Sequence, residues 1–93
     1  MGEASIPSGY SADSELDHEG PDPVWLQLAA VLLSRIERGD YPENRPIPSI
    51  AGLVQEFGIA RGTVQKTTAF LEDRGHVRIV PGKGVFVVPR GDR

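Results

Sequence analysis

The sequence predicts a mainly α-helical domain closed by a small β-hairpin. Three stretches carry apolar residues at helical spacing, and each is followed closely by a glycine. A tight joint, Phe57-Gly58-Ile59, separates the second stretch from the third. After them come two β-branched runs on either side of Pro81-Gly82-Lys83-Gly84.

The first helix is expected from Pro23 to Arg38. Asp22 is placed to cap it, and Pro23 suits its first position, where a missing N–H costs nothing. Trp25, Leu28, Ala29, Leu32 and Ile36 form one apolar face, widened by Val24, Val31 and Leu33. Arg35 and Arg38 complement the dipole of the last turn, and Gly39 ends the helix. The next stretch, residues 40–48, holds three prolines and reads as a stiff linker. Ser49 then caps a short helix to Phe57, with Ile50, Leu53, Val54 and Phe57 inward. A third helix is expected from Ala60 or Arg61 to Arg74, with Val64, Thr68 and Leu71 on its buried stripe. The hairpin strands are expected at residues 76–80 and 85–88.

Composition divides the chain before any motif is considered. Residues 1–22 carry six acids and no Lys or Arg, which leaves the remaining seven acids against all ten bases, a net of +3 for residues 23–93. The overall charge of −3 therefore averages an acidic tail with a mildly basic domain. The tail is rich in Gly, Pro and Ser without apolar periodicity, and it is expected to be disordered or loosely attached. Three parts follow: a tail over 1–22, one folded domain over 23–89, and a short C-terminal tail over 90–93. The length leaves no room for a second domain, so no effector domain is expected.

Several function classes are disfavoured. Absence of cysteine excludes disulfides and thiolate metal sites. His18 and His76 lie in different regions without partners at metal spacing, so neither a metal nor a cofactor is expected. Ser34, Ser49 and the acids form no triad, and Gly82-Lys83-Gly84 opens no helix, so no enzyme is expected. No apolar run approaches the ~18 residues that span a bilayer, and no secretory signal opens the chain; the expected address is the cytoplasm.

Two short helices around a tight glycine-containing turn form a helix-turn-helix, and the hairpin behind them makes it a winged one: a three-helix bundle plus wing. In that arrangement the second helix of the pair enters the DNA major groove, and residues at its start reach base edges. Arg61, Gly62, Thr63, Gln65, Lys66 and Thr67 supply the polar surface this requires, around an inward Val64. Arg61 suits bidentate pairing with guanine, Gln65 suits adenine, and Thr63 suits a phosphate or a thymine methyl, whereas Lys66 suits a phosphate. Lys83 sits at the hairpin tip between Gly82 and Gly84, which let the backbone approach a phosphate or minor-groove edge. Arg78 and Ser49 complete the candidate contacts.

At these residues the chain resembles a known family. Residues 23–88 are similar to the DNA-binding domain of GntR-type bacterial regulators. The resemblance is carried by Arg35-Ile36-Glu37-Arg38-Gly39 before a Pro-rich loop, Pro48-Ser49, Phe57-Gly58-Ile59-Ala60-Arg61, Gly75, and Gly82-Lys83-Gly84-Val85-Phe86-Val87. It implies a winged helix, a homodimer and an inverted-repeat operator in double-stranded DNA, with repression by occlusion in the bacterial nucleoid. The chain departs from the family where an acid and an arginine commonly follow Pro-Ser, for here stand Ile50 and Ala51. It also has Gln65 where arginine is common, and His76 where an apolar residue is usual. A competing expectation is a winged-helix protein-interaction module without specific DNA binding, favoured by the modest charge and an exposed Phe70. The acidic tail has its own functional alternative, as an arm that competes with DNA for the basic face or aids dimerisation.

Overall fold

The computed structural model describes residues 4–92. Helix α1 spans Val24–Arg38, α2 Ile50–Phe57 and α3 Arg61–Asp73; strands β1 (Val77–Val80) and β2 (Gly84–Val87) form an antiparallel hairpin, and a 3-10 turn at Arg90–Asp92 follows. The fold is a winged helix.

Helix α1 is the spine. Leu28, Ala29, Leu32 and Ile36 face the core, and Leu53, Val64, Leu71, Val77 and Val87 meet them from the other elements. Burial of that apolar surface, at roughly 25 cal/mol per Å², is the main force holding helices this short. Gly39 closes α1 with φ 91°, its N–H turned back to the last carbonyls. The start differs from expectation. Pro23 is the cap residue and Asp22 makes no cap; the Asp22 carboxylate instead accepts the Tyr10 hydroxyl at 2.9 Å.

The acidic segment corrects the sequence reading more deeply. Residues 4–22 lie against α1 as an irregular strap, with Ala12 buried and Ile6 and Leu16 packed on the core. Gln27, fully buried, explains why. Its Oε1 accepts the Asp17 N–H at 2.8 Å, and its Nε2 donates to the carbonyls of Asp17 (2.8 Å) and Asp22 (2.7 Å). A buried amide in an apolar helix face is costly unless every group is matched, and the strap backbone supplies the match. Arg35 donates from Nε to the Ala12 carbonyl at 2.9 Å and from Nη1 to the Tyr41 hydroxyl at 2.9 Å. Its Nη2 pairs with Glu56 at 2.8 Å, and the guanidinium lies 5.2 Å from the Phe57 ring centroid. Arg38 bridges Asp13 and Asp40. Hydrogen bonding to Arg38 holds the Asp40 carboxyl below its usual range. The depressed value means this contact helps the fold above the ordinary aspartate range and fades as pH falls through the folded-state pKa. Two of the ten bases are thus committed on the α1 face.

The proline-rich linker also does more than connect. Ile47 N–H donates to Val85 O at 2.8 Å and Val87 N–H to Arg45 O at 3.0 Å, so residues 45–47 lie along β2 as a third rung. Pro46, opposite Phe86, occupies the position between those bonds, where no N–H is needed. Asn44 takes the left-handed turn just before, with φ 62°. On the other edge, Glu72 at the end of α3 accepts the Ile79 N–H at 2.8 Å. The wing is therefore fixed to α3 on one edge and to the linker on the other.

Candidate nucleic-acid interface

Ser49 caps α2 as expected, its Oγ accepting the Gly52 N–H at 3.0 Å. Gly58, at φ 64°, turns the chain sharply enough to start α3 three residues later. That turn places the first residues of α3 at the surface: Arg61, Gly62, Gln65 and Lys66 are exposed, while Val64 is fully buried beneath them.

One groove, about 520 Å³, runs between α3 and the wing. Arg61 and Gln65 line it from the helix, and Gly82, Lys83 and Gly84 from the hairpin tip. Five of the residues singled out in the sequence therefore converge on one surface feature. The others are placed elsewhere. Gly62 and Thr63 lie in the first turn of α3 outside the groove lining, and Ser49 is occupied as the cap. Arg78 is exposed on the outer face of the wing opposite Phe86, beside a separate depression with Asn44 and Pro89. Lys66 points toward α1, its Nζ 4.6 Å from the Trp25 ring centroid.

Thr67 is a correction. Grouped with the outward polar residues, it is instead fully buried, with Oγ1 2.8 Å from the Trp25 carbonyl and 3.1 Å from that of Thr63. Its spacing held the signal: Val64, Thr67, Thr68 and Leu71 form an i, i+3, i+4, i+7 stripe, all buried. Thr67→Val is expected to lower stability by about 1 kcal/mol through loss of that hydrogen bond, with no effect on nucleic-acid binding; urea unfolding alongside a binding titration checks both. Phe70 likewise is not an open docking residue. It is half-buried, with its ring edge-on to Trp25 at 5.2 Å and Arg74 stacked 4.7 Å from its centroid.

The sequence reading missed the floor of the groove. Ile50, Ile79, Val80 and Val85 line it beside Thr68, and apolar types at those places read simply as core. Among the described residues no group of His, Asp or Glu is arranged to hold a metal ion. No described helix is long and apolar enough to cross a membrane.

The family model described as bacterial regulatory proteins, gntR family, matches residues 26–87, which takes in the whole hairpin and all three helices apart from the start of α1. The chain belongs to the gntR family. Among curated gntR-like relatives, an uncharacterized HTH-type transcriptional regulator, RB1450 of Rhizobium meliloti (strain 1021), is 37% identical over 70 residues, covering 75% of this chain and 28% of that protein. A histidine utilization repressor of Pseudomonas putida is 31% identical over 74 residues, covering 78% and 30%. The chain thus spans under a third of the length of these relatives. Among solved structures, the AraR DNA-binding domain in complex with operator ORR3 superposes with a TM-score of 0.72 at 30% identity, covering 82% of this chain and 92% of that one. YtrA from Sulfolobus acidocaldarius, a GntR-family transcription factor, gives a TM-score of 0.74 at 26% identity, covering 82% and 80%.

Proposed function

We propose that this chain is the DNA-binding domain of a cytoplasmic transcriptional regulator, one that represses by occupying an inverted-repeat operator as a homodimer. The observation that carries the reading is the convergence of Arg61, Gln65 and Lys83 on one groove between an exposed helix start and a glycine-flanked hairpin tip. Supporting it, the AraR domain of the same fold is bound to operator DNA, and named relatives are repressors.

In this reading α3 enters the major groove. Arg61 pairs bidentately with a guanine, and Gln65 reads an adjacent base by the two-point geometry its amide offers adenine. Thr63 and the backbone at Gly62 approach a phosphate or a thymine methyl at the helix start. Lys66 stays within reach of a phosphate while stacked on Trp25. Across the groove, Lys83 and the backbone of Gly82 and Gly84 meet a phosphate bordering the neighbouring minor groove, and Arg78 adds a backbone contact from the wing. The protein's part is binding; none of these groups is arranged to make or break a bond.

Salt dependence tests the electrostatic side. In this reading each copy brings Lys66, Arg78 and Lys83 to phosphates and Arg61 to a base, so two copies would neutralise about six to eight phosphates. Log affinity for a selected duplex is then expected to fall against log salt with a slope of about −5 to −7. A slope near zero in a titration across several salt concentrations would point instead to a protein partner.

A further inference from the structure

The exposed edge of α3 has two flanks, and one of them meets the wing. Arg61, Gln65 and Thr68 recur at helical spacing along that flank, where they line the groove with Gly82, Lys83 and Gly84. At about 3.6 residues per turn, Lys66 lies about 100° further round the helix than Gln65, on the flank turned toward the first turn of α1. There Trp25 gathers three residues of α3. Its ring faces the Lys66 ammonium, with Nζ 4.6 Å from the centroid. The Phe70 ring stands edge-on to it at 5.2 Å, and the Trp25 carbonyl accepts the buried Thr67 hydroxyl at 2.8 Å. Trp25 is half-buried and Lys66 is exposed, so the indole is held by the helix pair while the cation is open to solvent.

Core packing accounts for the contact of Trp25 with Phe70, but not for a cation on its other surface. A free lysine side chain must order a long flexible stem before it can hold one phosphate. Stacking on an indole, the ring with the strongest attraction for cations, orders that stem in advance. An ammonium has three N–H donors, and those turned away from the ring stay available to an anion. A helix in a major groove is bordered by two phosphate walls, one from each strand. With α3 in the groove and Lys83 at the wall beside the wing, Lys66 stands toward the opposite wall.

We propose that Trp25 is a positioning residue for DNA binding: its ring holds the Lys66 ammonium against one phosphate of the strand opposite the one met by the wing tip. The inference rests on the reading of the chain as a duplex-DNA binder. It adds that α1, which lies outside the helix-turn-helix pair, sets one backbone contact.

The test replaces the phosphates of a duplex selected from a random library by neutral methylphosphonate, one position at a time and in both half-sites together. Among the positions sensitive for the wild-type chain, one is expected to lose its effect in Lys83→Ala. Another, on the opposite strand, is expected to lose its effect in Lys66→Met, each position being worth about tenfold in affinity. In Trp25→Leu the effect at the Lys66 position is expected to fall to about twofold or less, while the Lys83 position keeps its full effect. Trp25→Phe retains a ring face and is expected to keep about fivefold or more. An unchanged Lys66 position in Trp25→Leu overturns the positioning role and leaves the DNA reading standing. So does the absence of any position that responds to Lys66→Met, and so does a Trp25→Phe variant that matches Trp25→Leu. Loss of both positions together in Trp25→Leu overturns it as well, for Trp25 would then support the whole fold and not one contact. Failure of the library to yield any duplex overturns both the positioning role and the DNA reading.

Discussion

Arg61→Ala is expected to lower affinity for the selected operator by about 30-fold to 10⁴-fold. A bidentate contact to a base is worth about 1–3 kcal/mol, and a two-fold complex carries it twice, giving roughly 2–6 kcal/mol in all. The loss must come from binding and not from folding. Arg61 is exposed, begins α3 without capping it, and makes no ion pair among the described residues. Alanine also favours a helix at least as well as arginine. The melting temperature of the variant is therefore expected to match the wild type, and relaxed base preference at one position of each half-site should accompany the weaker binding. Lys83→Ala is the contrasting case, since removing a phosphate-binding cation from the wing weakens all sequences alike.

Gln27→Ala is expected to be the most destabilising single change outside the apolar core, at about 2–4 kcal/mol. It removes three hydrogen bonds of roughly 1 kcal/mol each, and it leaves the Asp17 N–H and the Asp17 and Asp22 carbonyls facing an apolar helix surface. The strap also carries Ala12, Ile6 and Leu16, so its release uncovers apolar area on α1. Thermal unfolding measures the loss. Faster amide exchange at residues 12–22 in the variant, with α3 still protected, identifies the strap as the part released. An unchanged melting temperature would show that these contacts contribute nothing to the fold.

Much of this fold was legible because helical and strand periods are written in apolar spacing. Val24–Arg38, Ile50–Phe57, Arg61–Asp73 and the hairpin all fall within about two residues of where the pattern puts them. The strap was not legible, for a physical reason. It is held largely through its own backbone groups, which every sequence possesses, matched by Gln27 and Arg35, and through Ala12, Ile6 and Leu16, whose spacing follows no helical or strand period. A Gln at position 27 between Leu26 and Leu28 was the clearest hint. The third rung of the sheet was hidden by prolines that ordinarily argue against pairing, and Pro46 evades that rule by sitting between the ladder bonds.

At the candidate interface, residue type and position brought out Arg61, Gln65 and the Gly82-Lys83-Gly84 tip as candidates, and the fold sets them around one groove. Direction was harder. Lys66 leans on Trp25 and Thr67 turns inward, and both follow from helical phase relative to Val64 rather than from polarity. The apolar floor escaped notice because Ile79 and Val80 serve the wing as strand residues and the groove as lining at once.

Selection of duplexes from a random double-stranded library by the wild-type chain, at low and near-physiological salt, is the most direct measurement. The expected result is an enriched inverted repeat, in which each half-site carries a guanine whose replacement matters to the wild type and not to Arg61→Ala. Recovery of unenriched sequence, bound equally weakly by both proteins, would contradict sequence-specific DNA binding through α3.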